Sequence, residues 1–187
     1  MTRSRSTSLW LSAHAGVDLD RMSWQDFERC IKEVFRCGGW DVQSTTYFDA
    51  GSDVIAILDG VEYAVQVKHR TDPEAGVGVD AVEQAARGRD RYGSTRALLV
   101  TNAMVTADGV ARAAELAVHL WDRWGLAERL RDLGLLAIEG EMKTACSSCG
   151  LPMAVVDQHS RAVWTCDPRF GGCGTHVPYC APVLRLI

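Results

Sequence analysis

The residues best suited to chemistry lie in the stretch 51–68, which contributes an acid (Asp53), an amide (Gln66) and a lysine (Lys68). Those are parts of a metal-dependent nuclease centre. Mg²⁺ prefers hard oxygen ligands, usually one or two carboxylates, with water and substrate phosphate filling the remaining positions. Asp53 offers the carboxylate and the Gln66 side-chain carbonyl a neutral oxygen. Lys68 could position an attacking water or neutralise charge growing on a phosphate. A second set lies far downstream. Cys146-Ser147-Ser148-Cys149, followed by Cys166 and Cys173, is a C-x2-C pair with two later thiols in a short Gly/Pro-containing segment, the pattern of a zinc site. Four thiolates leave no open position for water, so the zinc they hold is structural. His176 and Cys180 lie close enough in sequence to replace Cys166 or Cys173.

The first set must be positioned by a hairpin. Asp59-Gly60, flanked by apolar runs rich in β-branched residues, suits the two φ > 0 positions of a type I′ turn. With those residues as the loop, Asp53 and Gln66 are equidistant from it and face each other directly. Opposed side chains stand about 4.5–5.5 Å apart at Cβ and diagonal neighbours about 7–8 Å, so Lys68 joins them at the open end. Before the hairpin, Ser23 with Asp26 forms a variant capping box, and Trp24, Phe27, Ile31, Val34 and Phe35 mark one helical face ending near Gly38-Gly39. Residues 40–43 read as a short strand. After a Pro/Gly-containing connection at 71–78, a helix is expected at 79–91 and a buried strand at 97–101. Thr106 can cap a helix to about residue 117, 118–121 a strand, and Asp122 a last helix toward Leu133. This order implies an α/β fold, a mixed central sheet flanked by helices. The expected organisation is a tail at 1–20, a main domain at 21–135, a linker at 136–143 and a small zinc-binding unit at 144–187.

With 187 residues and 47% hydrophobic content, the chain has the size of one ordinary domain with a small appendage. Arg3 and Arg5 precede an apolar segment that Ser12, His14 and Gly16 interrupt, unlike a signal peptide. No run approaches the roughly 18 apolar residues of a membrane span. The expectation is a cytoplasmic protein with no membrane partner. A net charge of −4 excludes a uniformly basic coat, so phosphate binding would need local patches. Lys68-His69-Arg70, then Arg87, Arg89 and Arg91, and finally Arg161 and Arg169 could supply them. Of seven cysteines, Cys30 and Cys37 sit in a helical pattern as small apolar residues, and the other five crowd the last quarter, which in a cytoplasmic chain points to metal before disulfide. Asp49 is a secondary acid in a turn that its own side chain can stabilise, and Gln84 could face the site from the following helix.

Four segments in order, Ser23-Trp24-Gln25-Asp26-Phe27-Glu28, Asp49-Ala50-Gly51-Ser52-Asp53-Val54-Ile55-Ala56, Val65-Gln66-Val67-Lys68, and Leu98-Leu99-Val100-Thr101-Asn102 with 106–114, carry a family resemblance. Together they resemble the catalytic domain of Mrr-type restriction endonucleases, within the PD-(D/E)xK nuclease-like group, over roughly residues 20–135. The resemblance implies a restriction-endonuclease-like fold and Mg²⁺-dependent hydrolysis of DNA phosphodiesters, in the manner of a type IV restriction-like endodeoxyribonuclease. It makes Asp53, Gln66 and Lys68 the catalytic positions, with Asp53 and Gln66 toward the metal. Glu28 looks like the acid that some members bring to the metal from the first helix. Double-stranded DNA is the implied partner, and cutting both strands with one centre calls for a homodimer or successive nicks.

Gln66 departs from the acid of the general pattern, although Gln-x-Lys is familiar in the Mrr branch. One fewer negative charge should weaken metal affinity. That leaves a second reading open, a non-catalytic nucleic-acid-binding module with a vestigial site, and RNA is not excluded as the substrate. The stretch 164–173 is similar to the small zinc fingers at the C-terminal end of type I topoisomerases. It implies a zinc ribbon held by Cys146, Cys149, Cys166 and Cys173 that contacts DNA through Arg161, Arg169, Trp164 and Phe170, or that docks protein or stabilises the fold.

Overall fold

The computed structural model describes residues 11, 17–45, 52–139, 146, 148–151, 154–158, 161–166, 168, 171–178 and 183–186. Asp49, Arg169, Phe170 and Cys180, together with Arg3 and Arg5, lie outside the described residues. The first helix, α1 (Trp24–Cys37), starts where expected, because Ser23 Oγ accepts the Asp26 amide at 3.1 Å and donates to the Asp26 carboxylate at 2.7 Å. Phe27, Cys30, Ile31, Val34 and Phe35 form its buried stripe. Trp24, assigned to that stripe by its spacing, is instead 62% exposed, because the first turn lies beyond the packed part of the helix.

Strand β1 (Asp41–Ser44) begins one residue later than expected, since Trp40 packs against Phe35, Tyr63 and Trp121. β2 (Val54–Leu58) and β3 (Val61–Lys68) form the hairpin. Asp59 (φ 50°) and Gly60 (φ 79°) both take left-handed conformations, as a type I′ turn requires. The register pairs Leu58 with Val61 and Val54 with Val65, so the next pair is Asp53 with Gln66. The chain continues through α2 (Val79–Tyr92), β4 (Arg96–Thr101), α3 (Ala107–Leu116), β5 (Val118–Trp121) and α4 (Arg123–Asp132). Thr106 and Asp122 cap α3 and α4 through their side chains.

The five strands lie in the order β1-β2-β3-β4-β5, antiparallel in the hairpin half and parallel from β3 onward. β4 shows why helices cover both faces. Leu98 and Val100 pack with Phe27, Ile31, Leu126 and Leu130 of α1 and α4, whereas Ala97 and Leu99 pack with Val82, Ala85 and Ala113 of α2 and α3. An alternating strand that is apolar at every position has no face left for water.

The stretch assigned to a linker, 136–143, begins with a strand, β6 (Leu136–Glu139). It pairs antiparallel with β10 (Val183–Leu186), and Leu136, Leu184 and Leu186 enter the same core as α1 and α4. Burying each leucine contributes about 1.5–3 kcal/mol, which is why these segments are held to the main domain. The residues expected in the N-terminal tail also contribute, for Leu11 and Leu19 are buried there and the Leu186 amide donates to Val17 O at 3.2 Å. Between β6 and β10 lies a separate antiparallel sheet of β7 (Ala154–Gln158), β8 (Arg161–Thr165) and β9 (His176–Pro178).

Candidate active site and metal centre

The hairpin register brings the two expected partners into contact. Gln66 Nε2 donates to Asp53 Oδ2 at 2.5 Å, and the Val67 backbone amide donates to the same oxygen at 2.7 Å. Both bonds therefore fall on one carboxylate oxygen. Gln66 is buried, and its Nε2 makes a second, longer contact to Val67 O at 3.3 Å. Burial raises the Asp53 pKa above the usual carboxylate range. The Val67 hydrogen bond opposes that rise, the charge of Glu28 adds to it, and Lys68 and Lys32 pull it down. The site thus holds a desolvated carboxylate between one acid and two lysines.

Glu28 is engaged by Lys32, one turn along α1, at 2.6 Å. Sequence reasoning missed Lys32, although its i,i+4 spacing to Glu28 was available. Lys68 ends β3 opposite Thr101. A cavity of about 480 Å³ opens beside it, lined by Lys68, His69, Arg70, Gly78, Asp80 and Gln84 among others. Gln84 thus does face the lysine from α2. Gly78 gives α2 no side-chain cap, so the positive end of that helix lies beside Lys68 and Arg70, a setting suited to phosphate.

Three further residues, not singled out from the sequence, fix this end of the sheet. Arg123 is fully buried and makes a two-pronged pair with Asp20, Nη1 to Oδ1 at 2.8 Å and Nη2 to Oδ2 at 2.9 Å. Its Nη1 also donates to Asn102 O at 2.6 Å. Asn102 in turn donates from Nδ2 to Asp20 at 2.8 Å and to Arg70 O at 2.7 Å, and accepts the Arg70 amide at 2.8 Å. The backbone two residues past Lys68 is therefore clamped to the end of β4. His69, expected in a basic patch, turns inward instead, with Nε2 3.0 Å from Leu19 O and its ring against Phe27. Of the helical arginines, Arg89 is held by Asp90 and by Leu116 O, while Arg87 makes a loose contact with Glu83 at 3.8 Å.

The four expected cysteines also converge. The Sγ atoms of Cys146, Cys149, Cys166 and Cys173 lie within 4.8 Å of one another, with Cys146–Cys173 at 3.6 Å and Cys149–Cys166 at 3.4 Å. Tetrahedral zinc with sulfur at 2.3 Å needs an S···S separation of about 3.8 Å, so the cluster fits the ion with little adjustment. The backbone amides of Ser148 and Cys149 lower the Cys146 thiol to about 6, whereas Cys166, despite the Cys173 amide, is pushed up to about 12 by burial and by the neighbouring thiols. Four sulfurs would complete the tetrahedral sphere of such an ion. Cys30 lies in the apolar core, where burial pushes its thiol up to about 12 and none of these four sulfurs joins it.

The crystal structure of AF1548, a protein of unknown function, has a similar fold, with a TM-score of 0.51 at 18% identity over 63% of this chain and 67% of that one. No curated protein matches the chain in sequence. Among the described residues, no helix is long and apolar enough to cross a membrane. Residues 19–130 match the profile of the Mrr catalytic domain, described as a restriction endonuclease, a segment that takes in Glu28, Asp53, Gln66 and Lys68 as well as the Asp20–Asn102–Arg123 clamp. That match spans more than half of the sequence, and the chain belongs to the Mrr catalytic-domain family of restriction endonucleases.

Proposed function

We propose that the chain is a Mg²⁺-dependent endonuclease acting on double-stranded DNA, with Asp53, Gln66 and Lys68 as its catalytic residues and Glu28 as an auxiliary acid. The observation that carries this reading is the Asp53–Gln66 contact across the hairpin beside Lys68, in a chain of nuclease family. The donor set suits a hard cation. Asp53 offers Oδ1, Gln66 offers Oε1, and Glu28 supplies nearby negative charge. A bound Mg²⁺ would polarise the phosphodiester and lower the pKa of water. The protein's own share is distinct: Lys68 offsets charge on the phosphate, Gln66 orients the Asp53 carboxylate, and the α2 N-terminus with Arg70 receives the backbone.

The four-cysteine unit is read as a structural zinc ribbon that aids DNA binding, and the protein as a cytoplasmic enzyme that can act as a homodimer. Purified protein is expected to nick or linearise plasmid with Mg²⁺. Asp53→Ala and Lys68→Ala are each expected to reduce the rate by at least about 100-fold. Equal cleavage by the wild type and both variants would assign the activity to a contaminant. Gln66 in place of an acid supports one second reading, a nucleic-acid-binding module without turnover. Salt-sensitive DNA binding with no heat of Mg²⁺ or Mn²⁺ binding in the presence of DNA would establish it.

A further inference from the structure

At the other end of β3 from Lys68 lies a second cavity, of about 440 Å³, on the α1 and α4 face of the sheet. Five residues of strand, about 17 Å, separate Tyr63 at its wall from Lys68 at the nuclease centre. Its walls are aromatic. Trp40 meets Tyr63 edge-on at 5.1 Å and Trp121 edge-on at 6.1 Å, and Tyr63 lies 6.1 Å from His119. Trp40, Tyr63 and Trp121 all remain partly exposed, so this cluster is not closed core. Two guanidinium groups lie on these rings, Arg96 5.9 Å above Tyr63 and Arg129 5.5 Å above Trp121. Arg96 also contacts His119 at 3.0 Å.

We infer that this cavity is a nucleotide site that takes one unpaired base against Trp121 and the adjoining phosphate against Arg129 and Arg96. The volume exceeds what one base needs, and aromatic faces bind bases irrespective of sequence. Exposed Arg129 already occupies the Trp121 face with a planar group on a flexible stem, and a base can take that place while the guanidinium turns to the phosphate. Charge selects the ligand class. An aromatic cage for a quaternary ammonium would not carry two arginines at its mouth, whereas a base with its phosphate matches both rings and cations. Asp132, which also lines the cavity, suits an N–H donor on a base edge, such as the ring N–H of thymine. The polymer's identity rests on the nuclease reading proposed above. Stacking itself requires no cleavage.

The test compares a short fluorescent single-stranded oligothymidylate with an abasic oligomer of the same length, by anisotropy, using zinc-loaded protein without added Mg²⁺. The wild type should prefer the base-bearing oligomer by about tenfold. Trp121→Leu should lose most of that preference, Arg129→Ala should weaken both oligomers alike by several-fold, and Asp53→Ala should leave the preference in place. Because Trp121 also stacks on Phe35, the loss of affinity for both oligomers in Arg129→Ala decides if Trp121→Leu loses its native circular dichroism. Equal affinity for the two oligomers in the wild type would overturn the inference and leave the cavity to a protein segment. A preference undiminished in folded Trp121→Leu, or affinities unchanged in Arg129→Ala, would overturn it too, and would move the binding to another part of the chain. A catalytically silent protein that still discriminates would defeat the nuclease reading and leave this one standing.

Discussion

The cysteine cluster and the Asp53 centre solve opposite problems with opposite amounts of chain. All four thiols come from residues 146–173, and their sulfurs lie within 4.8 Å of one another. The Asp53 centre gathers α1, β2, β3 and α2, and depends on residues 20, 102 and 123 to hold the strand end beside it. A closed set of soft ligands can only stabilise, because no position is left for a substrate. An open set of hard donors must instead stay uncomfortable until its partner arrives, and the raised pKa of Asp53 is that discomfort.

The contrast can be broken first at the zinc. Chelation or Cys166→Ser should remove the order of the segment 146–178, since structural zinc supplies an apparent 10–16 kcal/mol, about the whole stability of a small unit. Hydrogen exchange should show protection lost in β7–β9 and retained in β2–β4. Retained protection in β7–β9 would mean that this unit does not depend on its metal.

Next in size is the clamp. Arg123→Ala leaves the half-buried Asp20 without its counter-charge and Asn102 O without its donor, and should cost about 3–5 kcal/mol in urea unfolding. A cost below about 1 kcal/mol would show that the Asp53 site is as locally built as the four-cysteine cluster. Gln66→Glu probes the charge the centre lacks. It should tighten Mn²⁺ binding, read calorimetrically with DNA present, by about tenfold, or about 1.4 kcal/mol. Unchanged or weaker binding would remove residue 66 from the ligand set.

The smallest effect concerns protons. Burial raises the Asp53 pKa, so the folded state favours the protonated acid. Its contribution to stability is present below the ordinary carboxylate value and is lost as pH rises through the higher folded value. Metal-free Asp53→Asn should therefore melt above the wild type at neutral pH, with the difference vanishing in acid. A variant less stable than the wild type at neutral pH would show that the carboxylate's hydrogen bonds outweigh its desolvation.

Local rules carried much of this from the sequence. Asp59-Gly60 dictated the turn, and the turn dictated that Asp53 meets Gln66. Ser23, Thr106 and Asp122 marked three helix starts because their side chains bond the amides that a helix leaves open. The clamp was invisible for a physical reason. Asp20, Asn102 and Arg123 are ordinary surface types, and only the tertiary fold brings residues 103 positions apart into a buried pair. β6 and β10 were equally hidden, since four-residue apolar strands carry too little periodicity to be separated from a linker. Trp24 shows the converse, a residue with the right spacing and no partner to pack against.

The antiparallel pairing of β6 with β10 bears on the order in which the protein is made. Translation delivers the whole of α1 to β6 before any of the cysteine segment, and Leu184 and Leu186 only after it. The core beneath α1 and α4 is therefore short of two leucines until the ribosome has passed the zinc ligands. A nascent chain halted at Cys173 would carry Asp53, Gln66 and Lys68 on a core still lacking Leu184 and Leu186.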